Sequence, residues 1–212
     1  MKNTQPTFDF ENSFYLKEKL IAGIDEAGCG PWAGPVVAAA VIINQKLFCD
    51  ELKESINDSK KLSRQKRENI YKNLIIHPAI EYAIGQASVQ EIDQLNIGKA
   101  TKLAMCRAIQ NLKNEPFFVL VDGIRVPDLR QQVRTIIKGD QHSFSIAAAS
   151  IIAKVTRDHI MTTLDKQHPD YGWKNNAGYG TKAHHEAMKL HGLTAHHRLS
   201  YAPVKALFEK AC

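Results

Sequence analysis

Three aspartates in the sequence each follow an apolar run that has the length and composition of a buried strand. The runs and their acids are 20–24 before Asp25, 117–121 before Asp122, and 134–138 before Gly139-Asp140. In open α/β sheets the active site forms at the carboxyl ends of the strands, where the loops diverge. We therefore expect the three carboxylates to converge at one edge of a sheet.

Carboxylates gathered in this way would repel one another, because like charges a few ångströms apart disfavour joint ionisation. Such a cluster persists when a hard divalent cation offsets the charge, and Mg²⁺ or Mn²⁺ prefers oxygen ligands. Glu26 adds a fourth carboxylate, but adjacent strand residues point to opposite faces, so Glu26 reaches the cluster only if the backbone turns there. No histidine or cysteine accompanies the acids, which disfavours a zinc hydrolase. Each aspartate alone could equally cap a helix or start a turn, and the three together favour a metal site.

The segment between the first two predicted strands is rich in glycine and proline, with the sequence GCGPWAGP over residues 28–35. Its glycine spacing misses the dinucleotide-binding pattern, and Pro31 and Pro35 remove N–H donors where a pyrophosphate would bind. Two interpretations stay open. The segment is either a tight hairpin turn or a loop whose small residues let a sugar or phosphate approach the main chain.

Strands and helices that would position these residues alternate along the chain. Two further strands are predicted, over Val36–Ile43 and 79–87. Helices are predicted over Arg64–Ile76 after a Ser63 cap, from a capping box at Ser88, over 97–112, and over 144–166 after Ser143. A Gly/Asn-rich loop over 168–180 precedes two or three short helices, the last with Pro203 in its first turn. This order predicts an α/β domain with a mixed sheet.

The composition narrows the class of protein. With 212 residues, of which 44% are apolar and 24% charged, the chain fits one packed domain with a small appendage. A net charge of +6 suits a polyanionic partner, although many basic proteins bind none. The four cysteines show neither zinc spacing nor a disulfide pattern. No apolar run approaches the roughly 20 residues of a membrane span, and residues 1–19 lack the order of a secretory signal, so we expect a cytoplasmic protein.

Several longer motifs go beyond this general chemistry. They are IDEAGCGPWAGPV at 24–36, DSKKLS at 58–63, VDG at 121–123, KGD at 138–140, IAAASIIAKVTRD at 146–158, GYGT at 178–181, and HRLS at 197–200. Taken in order, they closely resemble the motifs of bacterial ribonuclease HII. The resemblance spans roughly residues 20–204, which is nearly the whole chain.

The resemblance implies a ribonuclease H-like fold, in which helices flank a mixed sheet and a small helical subdomain follows at the C-terminus. On this basis we divide the chain into an N-terminal extension (1–19), a ribonuclease H-like catalytic core (20–166), and a C-terminal loop and helical subdomain (167–212). The implied activity is endonucleolytic cleavage of RNA in RNA–DNA hybrids and incision at ribonucleotides embedded in duplex DNA. These nucleic acids are the expected partners, no membrane is expected, and the expected state is a monomer.

The resemblance also assigns residues. The catalytic metal ligands of the family correspond to the four acids already selected, which are Asp25, Glu26, Asp122 and Asp140, and the implied cofactor is Mn²⁺ or Mg²⁺. The sugar-sensing loop of the family corresponds to Gly28, Cys29 and Gly30, and its ribose-stacking tyrosine to Tyr179. The family usually has arginine between the two glycines. Cys29 therefore removes a side-chain contact to phosphate and leaves main-chain contacts to the 2′-OH.

Two metal ions held in this way could bind the attacking water and the leaving 3′-oxygen for in-line displacement at phosphorus. The products would carry a 5′-phosphate and a 3′-hydroxyl. The 2′-OH would then be a recognition handle, because it distinguishes RNA from DNA.

Basic residues are candidates for phosphate contacts, although each could equally be a solvated surface charge. They are Lys60, Lys61, Lys154, Arg157, Lys182 and Arg198. Asp158, inside the long helix, is predicted to pair with a nearby basic residue. The C-terminal histidines are interpreted as a polar helical surface near nucleic acid in preference to a metal site; they are His184, His185, His191, His196 and His197.

Two other functions stay open. A nuclease of the same fold class that cuts DNA would cleave an all-DNA duplex and ignore ribose. A hybrid-binding module would bind its duplex without turnover, and the four intact carboxylates speak against it.

Overall fold

A five-stranded mixed sheet forms the centre of the computed structural model, which describes residues 5–13, 19–56 and 63–211. In chain order the strands are β1 (Ile21–Ala27), β2 (Val36–Ile43), β3 (Ile80–Ala87), β4 (Phe118–Asp122) and β5 (Gln132–Ile136). Their order across the sheet is β3-β2-β1-β4-β5. The pairs β1–β2 and β2–β3 are antiparallel, whereas β4 and β5 run parallel to β1. The predicted α/β class with a mixed sheet is confirmed.

Helices cover both faces of this sheet. They are α1 (Asp9–Ser13), α2 (Asp50–Ile56), α3 (Arg64–Ile76), α4 (Val89–Leu95), α5 (Ile97–Gln110), α6 (Phe144–Gln167), α7 (Trp173–Asn176), α8 (Lys182–His191) and α9 (Ala202–Ala211). On one face Ala104 of α5 shares a buried cluster with Ile24 of β1. On the other face Ala148 of α6 shares a buried cluster with Ala39 of β2. None of the helices in the described ranges combines the length and apolarity that a membrane span requires.

Three helix starts follow local signals in the sequence. Ser63 and Ser143 cap α3 and α6, and each hydroxyl accepts a hydrogen bond from the amide three residues further on, at 3.3 and 3.2 Å. At α4 the Ser88 hydroxyl accepts from the Glu91 amide while the Glu91 carboxylate accepts from the Ser88 amide. These predicted starts are confirmed, since each cap depends on residues within a single turn.

The last strand lies earlier in the chain than predicted. β5 covers Gln132–Ile136 and not 134–138, and it is held in place by parallel pairing with β4 along its whole length. Asp140 therefore does not directly follow a strand. It lies in a short 3₁₀ helix (Gly139–Gln141) beyond the strand end.

The segment 168–180 is more ordered than the predicted loop. It contains a 3₁₀ helix (Pro169–Tyr171) and α7. The rings of Tyr171 and Trp173 stack at a centroid distance of 5.1 Å, and both side chains are buried. These two stacked rings supply enough buried apolar surface to order the segment, although its glycine and asparagine content predicted a loop.

The C-terminal part of the chain contributes to a buried cluster of its own. Its members are Ala33, Met161, Tyr171, Trp173, Ala187, Met188 and Val204. Ala33 comes from the loop after β1 and Met161 from α6, so this cluster ties the C-terminal helices to the sheet region. The division of the chain at residue 167 stays a prediction.

Residues 5–13 pack against the start of α6. The buried carboxylate of Glu11 accepts hydrogen bonds from the Ser143 hydroxyl (2.6 Å), the Ser145 hydroxyl (2.7 Å) and the Ser145 amide (3.1 Å). A negative charge there also complements the positive end of the α6 dipole. A buried carboxylate thus ties this part of the predicted N-terminal extension to the core.

Gly23 allows α6 to lie directly against β1. A β-carbon at this position would lie 2.3 Å from the carbonyl carbon of Ser145 and 2.4 Å from the amide nitrogen of Ile146. Both atoms belong to the backbone, which cannot move aside as a flexible side chain could. Since β1 carries Asp25, this close approach helps to set where the first carboxylate lies.

Replacement of Gly23 by alanine is expected to lower the free energy of unfolding by about 3 kcal/mol, because the added methyl group overpacks a backbone contact. Urea unfolding measures the change. Gly98→Ala is the control, since its β-carbon would meet only the Asn96 side chain, at 3.3 Å. Alanine is favoured over glycine in helices, so Gly98→Ala should not destabilise by more than about 1 kcal/mol. Equal stability of the two variants would contradict the close-packing argument.

Candidate active site

The register of β1 against β4 brings two carboxylates to the same level. The residues that precede Asp25 and Asp122 are paired in this parallel ladder, so the two acids follow at equal positions on neighbouring strands. Asp122 Oδ1 also accepts a hydrogen bond from the Gly139 amide at 2.6 Å. This bond holds the 3₁₀ helix that carries the buried Asp140 against the end of β4. The three segments that carry the aspartates therefore meet at one edge of the sheet.

Asp25 lies in an environment that disfavours its charge. The residue is 7% exposed. Burial raises the pKa of Asp25 well above its usual value, and the charges of Glu26 and Asp122 raise it further. Hydrogen bonds with the Ser150 side chain and the Glu26 amide (2.7 Å to Asp25 Oδ1) offset part of this effect. Such concentrated negative charge is the condition under which a divalent cation is most strongly attracted.

Glu26 belongs to the same charged group although the strand does not turn. β1 continues to Ala27 and stays paired with β2 throughout, so the turn expected at Glu26 is absent from this strand, and Glu26 acts on the other acids through its charge. Burial raises the pKa of Glu26, Arg125 lowers it, and Asp122 raises it further. Asp122 lies at the end of β4, and its charge raises the pKa of both Asp25 and Glu26, which occupy adjacent positions on β1.

Arg125 is a member of this site that sequence reasoning missed. Its Nη1 lies 3.0 Å from Glu26 Oε1, and its side chain is partly exposed. The available signal was a basic residue three positions after the aspartate that ends β4. Arg125 balances part of the negative charge of the cluster.

The donor set fits a hard divalent cation, because carboxylate oxygens are the ligands that Mg²⁺ and Mn²⁺ prefer. Within the described ranges, no three His, Cys, Asp or Glu side chains are already placed to hold a metal ion. Glu26 is engaged by Arg125, and Asp122 accepts from the Gly139 amide. Full use of Glu26 as a ligand would require that it leave Arg125.

Two buried arginines hold the 28–35 loop from the inside. Their guanidinium groups donate to main-chain carbonyls at 2.7–3.3 Å. The acceptors are Ala33, Pro35 and Ala177 for Arg157, and Gly28, Cys29, Gly34 and Pro35 for Arg198. The loop is therefore not a tight turn. Its carbonyls are fixed towards the protein interior.

Burial of the two arginines overturns the assignment of Arg157 and Arg198 to phosphate contact. Arg157 is 1% exposed and Arg198 is 0% exposed, so neither guanidinium can reach a ligand at the surface. Burial and the neighbouring charge of Arg198 lower the pKa of Arg157 to about 10, which leaves it charged at neutral pH. The physical role of both residues is to satisfy carbonyl groups of the loop.

The Cys29 side chain faces the carboxylates. Its Sγ lies 3.5 Å from Glu26 Oε1 and 3.4 Å from the Thr101 hydroxyl of α5. Burial and the Glu26 charge raise the pKa of the Cys29 thiol, so the sulfur is protonated at neutral pH. The Cys29 carbonyl accepts from Arg198 and from the Tyr201 hydroxyl. Only a small, uncharged side chain separates the loop from the acidic cluster here.

Tyr179 lies beside the glycine loop. A β-carbon at Gly30 would be 3.4 Å from Tyr179 Cε1, and the tyrosine is 49% exposed. The Trp32 amide donates to the Gly178 carbonyl at 2.8 Å and joins the two segments. Gly180 is required because its β-carbon would lie 2.1 Å from the Trp32 ring. The exposed ring and the glycines predicted to sense the sugar are therefore brought together.

The structure gives less support to the phosphate contacts predicted for the lysines. Lys60 and Lys61 lie outside the described residues. Lys154 Nζ lies 2.7 Å from Asp158 Oδ1, which confirms the ion pair predicted for Asp158. A phosphate contact by Lys154 stays a prediction and would compete with this pair. Lys182 is exposed at the start of α8.

Two of the C-terminal histidines are not on a polar surface. His184 is 0% exposed and His197 is 1% exposed, so the surface interpretation is wrong for them. Their Nε2 atoms lie 3.2 Å apart within a cluster of aromatic rings. Burial lowers the pKa of His184, and burial together with the neighbouring His184 lowers the pKa of His197 to about 4.

Acid should destabilise the protein through His197. Its pKa falls from 6.5 to about 4 on folding, so its neutral form contributes stability that is complete above pH 6.5 and is lost as the pH falls towards 4. We expect this group to remove about 2 kcal/mol of unfolding free energy between pH 7 and pH 5. Chemical denaturation across this range is the measurement. His197→Gln, which does not titrate, should show a shallower decline, and parallel curves would contradict the assignment.

A mixed sheet whose edge gathers buried carboxylates beside a glycine-rich loop defines a hydrolase of the ribonuclease H type, which acts on phosphodiester bonds. Residues 22–204 match the profile of the family Ribonuclease HII, and the chain belongs to this family. The family comprises endoribonucleases that act on RNA–DNA hybrids. The resemblance seen in the sequence motifs is thereby confirmed.

Known relatives and a solved structure resemble the chain over most of its length. It is 49% identical over 202 residues to Ribonuclease HII of Wolbachia pipientis subsp. Culex pipiens (strain wPip), covering 95% of this chain and 98% of the relative. It is 53% identical over 184 residues to Ribonuclease HII of Orientia tsutsugamushi (strain Boryong), covering 86% of each. The crystal structure of ribonuclease H2 from Pyrococcus horikoshii OT3 matches with a TM-score of 0.76 and 26% identity, over 90% of this chain and 98% of that one. This structural match confirms the predicted ribonuclease H-like fold.

Proposed function

We propose that the chain hydrolyses the RNA strand of RNA–DNA hybrids and also incises duplex DNA at a single embedded ribonucleotide. The observation that carries the second activity is the placement of the glycine loop between Tyr179 and the acids. A β-carbon at Gly30 would lie 3.4 Å from Tyr179 Cε1, while Cys29 Sγ lies 3.5 Å from Glu26 Oε1. A ribose bound against both the loop and the exposed ring would lie next to the carboxylates. One ribose is enough to fill such a position.

Asp25, Glu26, Asp122 and Asp140 would hold two divalent ions, Mg²⁺ or Mn²⁺, which supply charge stabilisation at phosphorus and activation of water. The rest of the chain places the phosphodiester. Arg157 and Arg198 fix the loop carbonyls inward, so its small residues can meet the 2′-OH through main-chain atoms. The exposed Tyr179 ring offers a face for stacking. The products of this reaction carry a 5′-phosphate and a 3′-hydroxyl.

Three end-labelled duplexes test the proposal with Mg²⁺ and with Mn²⁺. They are a continuous RNA–DNA hybrid, a DNA duplex with one ribonucleotide, and the same duplex made entirely of DNA. We expect cleavage of the first two and none of the third. Cleavage of the all-DNA duplex would favour a DNA nuclease, and binding without turnover would favour a hybrid-binding module.

Asp122→Asn is expected to lower cleavage of both ribose-containing duplexes about a thousandfold or more, because it removes a charged ligand worth several kcal/mol to the transition state. Without metal, its melting temperature should hold or rise, since it relieves repulsion with Asp25 and Glu26 and keeps an oxygen for the Gly139 amide. The control is Asp128→Asn, an exposed aspartate in the next loop that undergoes the same charge change. Near-normal turnover by Asp122→Asn would remove Asp122 from the proposed ligand set.

Tyr179→Ala is expected to lower kcat/KM for the single ribonucleotide by about tenfold, the usual cost of losing one aromatic stack. The loss on a continuous hybrid should be smaller, because a long RNA strand offers many registers. Tyr179→Phe keeps the ring and should behave like the unmodified protein on both duplexes. Equal losses for Tyr179→Ala on the two substrates would show that the ring has no role in ribose recognition.

A further inference from the structure

We propose that His184 is a positioning residue for Tyr179, and that Trp173 and His197 fix the tautomer in which His184 acts. The proposal rests on the proposed role of Tyr179 in recognising the ribose. His184 Nδ1 lies 3.0 Å from the Tyr179 carbonyl oxygen. Its Nε2 lies 3.1 Å from the Trp173 indole nitrogen and 3.2 Å from His197 Nε2.

The chemistry of the neighbouring groups allows one arrangement of protons on His184. An indole N–H can only donate, so Trp173 requires a His184 Nε2 without a proton. A neutral imidazole with a bare Nε2 carries its proton on Nδ1. There the Tyr179 carbonyl, which can only accept, takes the hydrogen bond. Both ring nitrogens of this buried residue are thereby satisfied.

His197 is pinned in the opposite tautomer. The Thr194 amide, which can only donate, lies 2.9 Å from His197 Nδ1. His197 therefore carries its proton on Nε2, 3.2 Å from the bare Nε2 of His184, whose single lone pair is shared between the Trp173 and His197 donors. A directed chain of hydrogen bonds thus runs from Thr194 through both imidazoles to the main chain of Tyr179.

The segment around Tyr179 is held both by local hydrogen bonds and by His184. Gly178 and Gly180 flank the tyrosine, and Gly178 has φ +78°, a conformation in which glycine gives little rigidity. The Tyr179 amide donates to the Asn176 carbonyl at 2.8 Å, and the Tyr179 carbonyl accepts from the Thr181 amide at 2.8 Å. His184 Nδ1 donates to the same carbonyl at 3.0 Å and adds a restraint from a buried side chain of α8. With its main chain held from the interior, the Tyr179 ring is directed outward beside Gly30.

The protonation pattern can be observed directly. Long-range proton–nitrogen correlation spectra of histidine-labelled protein at neutral pH should show His184 with its proton on Nδ1 and His197 with its proton on Nε2. A His184 proton on Nε2, or a doubly protonated ring, would overturn the proposal, because Trp173 would then face a donor.

Two amide substitutions separate the two ends of the His184 ring. The amide in His184→Gln reaches the Nε2 level and keeps an acceptor for Trp173 but has no donor at Nδ1. The amide in His184→Asn keeps a donor near Nδ1 and leaves Trp173 without its acceptor. The measured quantity is kcat/KM on the single ribonucleotide divided by kcat/KM on the continuous hybrid. A positioning role predicts that this ratio is about fivefold lower for His184→Gln than for His184→Asn. A merely structural role predicts the reverse order on both duplexes, and that result would overturn the proposal.

Melting temperatures and two further variants complete the test. His184→Asn should melt at a lower temperature than His184→Gln. It should nevertheless keep a higher ratio of kcat/KM on the single ribonucleotide to kcat/KM on the continuous hybrid, a combination that loss of folding cannot produce. His191→Asn, exposed on the same helix, should keep the unmodified substrate ratio. In a Tyr179→Ala background the difference between the two His184 variants should vanish, and its persistence would overturn the proposal. Failure of Tyr179→Ala to change substrate preference would instead defeat the proposed role of Tyr179, while the tautomer spectra still decide on the hydrogen-bond chain.

Discussion

Mutual repulsion among Asp25, Glu26 and Asp122 is the constraint around which this structure is organised. Each charge raises the free energy of the others, and burial removes the water that would screen them. The fold opposes the separation that repulsion favours by placing the acids on neighbouring parallel strands, whose register is fixed by ladder hydrogen bonds. The Gly139 amide and the Arg125 guanidinium each offset part of the charge. A rigid sheet edge is therefore a condition for the site and not merely its support.

How much the sequence could reveal depended on the range of the interactions involved. The caps at Ser63, Ser88 and Ser143 were predictable because each is complete within one helical turn. The bounds of the strands were less predictable, because the position of β5 is set by its pairing with β4 and not by its own composition. The acids could be selected before any fold was known, since apolar runs that end in aspartate mark strand ends.

Burial of the polar side chains was the part that the sequence concealed. Arg157 bonds to carbonyls as far as 124 positions away, and Arg198 to one 170 positions away, so no local pattern reports their surroundings. The same holds for His184 and His197, whose pKa values are lowered by burial and whose ring nitrogens meet a tryptophan and each other. All four side chains differ from ordinary surface residues in one respect: they serve main-chain or ring partners that water cannot reach. Charge and residue type alone therefore pointed to the surface.

The link between Arg198 and Gly28 also bears on how the protein is made. The two residues are 170 positions apart, so the loop gains its inner support only after the whole stretch from Gly28 to Arg198 has been synthesised. Strands β1 to β5 and α6 have already emerged by then, and an N-terminal unit generally folds as it appears. The end of the sheet that carries the acids can thus form on a nascent chain whose 28–35 loop is still unsupported. A chain that stops before Arg198 would carry its acids without the inner support of the loop that we propose contacts the ribose.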